Sequence, residues 1–399
     1  MESRSISVKN QLHLWIKSRR LLNVLFISII FIYSTSICQT PERVYRYCYT
    51  QETTKWYEEQ SGLWKNEVRL NSTNIDAWYN YFFATRYANF SMEEKERGKL
   101  LNSIIDDISK AVPNSYLHHY LMYYNGDRNL EHLEKAFLKN PNCADLYWEF
   151  IQYYELNGDR EKKKKFCEKL YSSNDIISSL YDYNFNTLNS TETNSILFTN
   201  GDNDNYPAWV LQDGKGIRQD VIILNAHTIF VLRDYLRLKL KQGKIEIDLD
   251  KLSTKDIDVF LKQLIYEIKN KYPETSIHVA MTVYNEYIKE IKDNLYVTGL
   301  VYTFSEVPID NISIIKNNFE KNLRLDYLDY DWYNEKHISK SMMDRYNLNY
   351  VPAIIELVKE YYSSGNIETA DYWKDKALIL ADKVNDSSLI EEIKSIKHK

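Results

Sequence analysis

From residue 40 to about 185 apolar residues recur at helical spacing, with a turn roughly every 15–20 residues. Asn74 is placed to open one helix, whose Trp78, Tyr81, Phe82 and Thr85 share a face. Pro113-Asn114-Ser115 and Pro141-Asn142 open later helices, since proline fits a first helical turn and Asn or Ser caps it. Gly126-Asp127 and Gly158-Asp159 fall where a first helix turns into a second.

The pattern changes after residue 190. Ser195–Thr199 reads as a strand, 200–205 as a loop, and Pro207 as the first residue of a helix running to Gln212. Strand Val221–Asn225 follows, then a helix from about Thr228 to Lys241. Ser253 and Asp256 signal another helix start, and Ile257, Phe260, Leu261, Leu264, Ile265 and Ile268 form its apolar stripe until Pro273 stops it. Strands Ser276–Ala280, Leu295–Thr298 and Leu300–Phe304 complete the region. Strands alternating with helices predict a parallel sheet covered by helices. From Asn347 the pattern is helical again, with Ile354, Leu357, Val358 and Tyr361 on one face and a turn at Gly365.

The N-terminus has a different logic. Arg4, Lys9, Lys17, Arg19 and Arg20 precede an apolar run from Leu21 to Tyr33, and small or polar residues follow to Gln39. A basic start, a short apolar stretch and a small-residue exit form a secretory signal. The run is short of the roughly 20 residues that span a bilayer. Cleavage after Cys38 is expected, with retention as an anchor the alternative. Without residues 1–38 the chain holds 46 basic and 55 acidic residues. That acidic balance argues against nucleic acid and anionic membrane surfaces as partners. No other stretch is long and apolar enough to span a membrane.

Export makes disulfides feasible for Cys48, Cys143 and Cys167. In an antiparallel hairpin Cys143 at one helix start lies near Cys167 late on its partner, so a Cys143–Cys167 bridge is expected. No C-x-x-C pair exists, and no dinucleotide, P-loop, nucleophile-elbow or H-E-x-x-H pattern is present. No metal or cofactor is expected. Lys162–Lys165 reads as a solvated helix face. His118 and His119 are adjacent, so they project about 100° apart and do not chelate as an i,i+4 pair.

The helical hairpins resemble tetratricopeptide repeats. Ala144–Asp175 carries Tyr147, Phe150, Ile151, Tyr154, Gly158 and Leu170 in that pattern, but departs at Lys163, where a small residue lets the helices approach. The C-terminal copy is closer, with Ala370 and Ala377 at the small-residue positions. Such hairpins stack and bind proteins, or serve as plain helical spacers.

The string Ile196-Leu197-Phe198-Thr199-Asn200-Gly201-Asp202-Asn203-Asp204 is distinctive, with Tyr206-Pro207, Leu211-Gln212, Gly216, Arg218, Asp220, Val221 and Asn225 after it and Gly299–Tyr302 further on. Together these residues resemble the soluble periplasmic region of a bacteroidetal family of multi-pass membrane proteins of unknown function, related to protein O-mannosyltransferases. The resemblance covers roughly residues 190–380 and departs at Ala226-His227. It implies an envelope location and a shared soluble domain. Glycosyl transfer in that family belongs to the multi-pass portion, which the resemblance does not reach, so no catalytic activity is carried over.

In a parallel sheet, ligands bind outside the carboxyl ends of the strands. Asp202, Asn203, Asp204, Asn225 and His227 fall there and are the candidate ligand-binding residues. Two carboxylates and a histidine could hold a divalent ion or sugar hydroxyls. The competing expectation is that Asp202 and Asp204 cap the following helix and that Arg218 and Asp220 brace a loop. The fold expected is α/β plus all-α. Residues 1–38 form the signal, 39–185 tetratricopeptide-like hairpins, 186–310 a Rossmann-like parallel-sheet domain, and 311–399 a C-terminal helical cap. The function expected is an exported, non-catalytic binding or scaffolding protein of a bacterial cell envelope, partnered by another envelope protein. The alternative is a protein that binds or processes envelope glycans through the Gly-Asp-Asn-Asp loop.

Overall fold

A computed structural model describes residues 40–330 and 339–397. The expected signal segment lies outside the described residues. The described residues divide into two compact units, one of residues 40–44 and 54–92, the other of 45–53, 93–330 and 339–397.

The first unit is a helical hairpin of α1 (Thr54–Leu70) and α2 (Ile75–Ala88). Asn74 caps α2 as expected, its side-chain oxygen accepting from the Ala77 N–H at 3.1 Å. Gln60 and Asn80 are buried, and each accepts a backbone N–H from the segment before α1, from Glu42 and Val44 respectively.

The second unit begins with six helices: α3 (Glu94–Ala111), α4 (Tyr116–Asn125), α5 (Leu130–Lys139), α6 (Ala144–Asn157), α7 (Arg160–Ser173) and α8 (Ser178–Asn189). Ser115 caps α4 through the His118 N–H. Gly158 ends α6 with φ of 73°, a left-handed conformation that disfavours any side chain, and so turns the chain into α7. Phe150 and Phe166 stack between α6 and α7 with ring centroids 4.0 Å apart.

The sheet follows. Its elements are β1 (Ile196–Thr199), α9 (Asp202–Trp209), β2 (Ile222–Asn225), α10 (Ala226–Val231), α11 (Arg233–Gln242), α12 (Ile257–Lys271), β3 (Ile277–Ala280), α13 (Asn285–Ile288), β4 (Leu295–Val297) and β5 (Val301–Phe304). The order is β2-β1-β3-β5-β4. β1 pairs in parallel with β2 and β3, while β5 runs antiparallel to both β3 and β4. The sheet is therefore mixed rather than parallel. Only Thr298-Gly299-Leu300 separates β4 from β5, which suffices for a hairpin but not for a parallel crossover. Gly299 is required there because a Cβ would come within 2.5 Å of Ser190 Oγ. β1 and β3 are buried at every residue, hence covered on both faces.

The chain ends with α14 (Asn311–Asn317), α15 (Lys340–Asn347), α16 (Val351–Ser363), α17 (Ile367–Lys383) and α18 (Ser387–Ser395). Ile354, Leu357, Val358 and Tyr361 are buried on α16, as are Ala370 and Ala377 on α17. The chain is thus mostly helical, with many hairpins and one small mixed sheet. The boundaries expected after residues 185 and 310 fall inside the second unit.

Candidate functional site

Thr199 and Asn225 end adjacent parallel strands and stand side by side in register. The chain after each turns at once into a helix. After β1 the expected loop is replaced by α9, with Gly201 at its N-cap and Pro207 six residues beyond that cap rather than first in the helix. Proline is tolerated there because the carbonyl it leaves unpaired, that of Asn203, accepts from Asn184 Nδ2 at 2.9 Å. The helix then widens into a π turn over Val210–Gly214.

Helical geometry separates the two acids. In an extended loop Asp202 and Asp204 would point the same way; on a helix, residues two apart project about 200° apart. Asp202 is exposed and Asp204 is buried. Neither caps α9 in the expected manner, since the N-cap residue is Gly201. Asp204 Oδ2 instead reaches back to accept the Asn200 N–H at 3.0 Å and the Thr282 hydroxyl at 2.6 Å. Thr282 follows β3, so this bond bridges the crevice between β1 and β3 where chain connection reverses direction. Asp204 Oδ1 is buried with no hydrogen-bond partner among the described residues. Burial raises the Asp204 pKa against the lowering effect of those hydrogen bonds.

Asn225 is equally committed. Its Oδ1 accepts from the Thr228 N–H at 2.8 Å, capping α10, while Nδ2 donates to the Asn200 carbonyl. Asn205 Oδ1 accepts from Thr199 Oγ1 at 2.6 Å. Asn203 Nδ2 lies 3.1 Å from Met342 Sδ, away from the strand ends.

Asp202 and His227 remain exposed. With Asn225 they line a pocket of about 240 Å³ whose other walls include Gln152 and Leu156 of α6 and Tyr206 and Trp209 of α9. Neither Asn203 nor Asp204 lines this pocket. The protein around Asp202 raises its pKa by partly excluding water; Arg46 opposes that shift, and Glu149 and Asp204 reinforce it. Tyr206 Oη and Trp209 Nε1 are buried without hydrogen-bond partners among the described residues.

Behind the pocket lies a charged centre that sequence pattern could not locate. Glu149 is fully buried and accepts from Arg46 Nη2 at 2.8 Å and Arg128 Nη1 at 2.9 Å. Tyr206 packs on Tyr47 and Trp148, with centroids 5.4 and 4.7 Å away. Glu149 sits among the apolar residues of α6, and its partners are 103 and 21 residues away.

A larger cavity of about 520 Å³ opens beside α7 and α11. Lys163 is buried there, unlike the exposed Lys162, Lys164 and Lys165. The position that departs from the repeat pattern thus carries an ion network. Lys163 Nζ pairs with Glu155 and, at 2.7 Å, with Asp213. Glu155 also accepts from Lys239 at 2.8 Å and from the Tyr235 hydroxyl at 2.6 Å, and Arg160 binds Asp213 at 2.8 Å. Burial alone would raise the Glu155 pKa, but Lys163 and Lys239 hold it well below the usual carboxylate range. Burial opposes the charge on Lys163 too, and Glu155 and Asp213 prevail to raise its pKa.

Arg218 and Asp220 form the expected brace, two contacts of 3.0 Å, and Arg218 also donates to the carbonyls of Leu188, Thr191 and Glu192. The Cys143–Cys167 bridge is not formed. Cys167 is a free, buried thiol near Lys163, Asp213 and the π turn, whereas Cys143 stands at the start of α6 near Tyr147. A second polar chain, Glu192–His278–Thr303, runs from the segment before β1 into the sheet; His278 of β3 is fully buried, with Nε2 2.5 Å from Glu192 and Nδ1 3.1 Å from Thr303 of β5. No group of three or more His, Cys, Asp or Glu among the described residues is arranged to hold a metal. No helix among them is long and apolar enough to cross a membrane.

Comparison with curated proteins gives no match. Residues 180–242, from α8 through the acidic turn to the end of α11, match the family model described as TMEM260-associated domain 2. That similarity fits the O-mannosyltransferase-related resemblance carried by the same residues.

Proposed function

We propose that this chain is an exported, non-catalytic binding protein of a bacterial cell envelope, with its binding site at the ends of β1 and β2. The observation that carries this reading is a division of labour at the acidic turn. Asp204, Asn205 and Asn225 are spent on holding backbone and strand ends, while Asp202 and His227 face an open pocket. Asp204 is held by structural hydrogen bonds and does not line the pocket, so Asp202 and Asp204 do not form the carboxylate pair of a glycan-cleaving site, which favours recognition. We read the helical hairpins as tetratricopeptide-like on the strength of Gly158, Gly365, Ala370 and Ala377, and β2-β1-β3 as a reduced Rossmann-like core. The basic start, apolar run and family similarity support export, and another envelope protein is the proposed partner.

The test is capture from native envelope extracts, comparing wild type with Asp202→Asn/His227→Ala. A partner held by wild type and lost by the variant supports the pocket. A partner held equally by both moves binding to the helical hairpins. Failure to capture anything above a control, with the protein found unprocessed in the cytoplasm, overturns the reading.

A second reading, glycan binding at the same pocket, is favoured by the Tyr206 hydroxyl and Trp209 indole N–H. Both are buried donors without a partner among the described residues. Thermal stabilisation by soluble glycans in wild type but not in the double variant would select it.

A further inference from the structure

The hairpin of α4 and α5 brings together histidines that are far apart in sequence. His119 Nδ1 lies 3.5 Å from His132 Nδ1. His118 and His119 stack with ring centroids 5.6 Å apart. His119 Nε2 lies 2.8 Å from Asn114 Oδ1. An amide carbonyl only accepts, so His119 carries its proton on Nε2 and presents a lone pair on Nδ1. Metal-binding histidines are commonly fixed in this way by an outer hydrogen bond.

The spacing suits a bridging ion. Zinc binds imidazole nitrogen at about 2.0–2.1 Å, and two nitrogens 3.5 Å apart then subtend roughly 115–120° at the metal, close to tetrahedral. We propose that His119 and His132 bind a divalent transition metal, zinc or copper, with water completing the coordination. In the metal-free form His132 Nδ1–H donates to His119 Nδ1; on binding, that proton moves to His132 Nε2, so both rings stay neutral and both Nδ1 lone pairs face the ion.

The charged neighbours set the strength. Lys135 and Lys139 act on His119 and oppose a cation, and Glu131 is engaged with Lys135 at 2.7 Å. The site is therefore a modest one, and it selects imidazole-loving metals over calcium and magnesium, which require oxygen donors.

The experiment is calorimetric titration of the full chain, free of any histidine tag, with zinc chloride at pH 7.5. One saturable site is expected, with a melting-temperature rise of ~1–3 °C at saturation. Calcium and magnesium should give neither. His132→Asn and His119→Ala should each weaken binding at least tenfold, while His227→Ala leaves it intact. A circular-dichroism melt of each variant without metal separates lost binding from lost folding. Absence of saturable zinc binding to the wild type, or wild-type affinity in folded His132→Asn, would overturn the site.

Discussion

Two buried carboxylate centres in the second unit are stabilised in opposite ways. In the network beside α7, Glu155 and Asp213 each meet cations, and Lys163 lies between them. At the acidic turn, Asp204 is just as deeply buried, yet its hydrogen-bond donors are neutral, the Asn200 N–H and the Thr282 hydroxyl. The first centre keeps its charges because they compensate one another. The second holds a carboxyl whose charge the surroundings disfavour. Burial therefore raises one carboxyl pKa, while paired lysines depress the other.

The largest effect is expected at Lys163. Lys163→Met leaves Glu155 and Asp213 facing each other with fewer counter-charges in the interior. Breaking such a network at one member costs about 3–5 kcal/mol. Chemical denaturation should show that loss. Adding Glu155→Gln and Asp213→Asn should restore only part of it, because Lys239 and Arg160 then lose their own carboxylates. If Lys163→Met costs under about 1 kcal/mol, the network contributes little and the contrast with Asp204 collapses.

A smaller effect separates the centres by pH. The Glu155 pKa is lowered in the folded protein, so its contribution is present above the unfolded value of about 4.3 and is lost as pH falls toward the folded one. The Asp204 pKa is raised, so folding favours its protonated form. The associated stability is present below the unfolded value of about 3.9 and is lost as pH rises through the folded one. Asp204→Asn should thus be better tolerated, relative to wild type, at pH 7 than at pH 3.5. Glu155→Gln should show the reverse, its cost shrinking at acid pH. Urea titrations of both variants across that range test the signs, and parallel pH profiles would erase the distinction.

Much of this architecture is readable in the sequence, and the rest is hidden for identifiable reasons. Caps at Asn74 and Ser115, turns at Gly158 and Gly365, and the buried stripe of α12 depend on local chemistry, which survives into the fold. The direction of β5 depends on pairing, and strand patterning does not encode partner direction. The acidic turn reads as a loop because Gly, Asn and Asp signal loops, whereas here Gly201 caps a helix that Pro207 joins in its interior. Of the five candidate ligand residues, Asp202, Asn225 and His227 meet at one pocket, since strand ends set their positions. Lys163 reads as a departure from a repeat because the pattern records side-chain size and not the acids that surround it. The pairing of His132 with His119 is invisible in the sequence because contacts across a hairpin have no fixed spacing.

The smallest effect probes how the acidic turn is held without ions. Asn184 Nδ2 donates to the Asn203 carbonyl, the group that Pro207 leaves unpaired, and also to the Leu180 carbonyl. Asn184→Ala should cost about 1–2 kcal/mol, because the Asn203 carbonyl then loses its donor. Pro207→Ala alone should change stability by no more than about 0.5 kcal/mol, since that carbonyl is already engaged. In the double variant the backbone N–H that alanine restores at this position can close the helical bond to Asn203. The two changes should then cost less together than separately, with a coupling of about 0.5–1 kcal/mol by denaturant titration. Strict additivity would mean that the Asn203 carbonyl is satisfied some other way. The turn would then owe its shape to Gly201 and the Asp204 contacts alone, which would draw the line between the neutral and the ionic centre more sharply still.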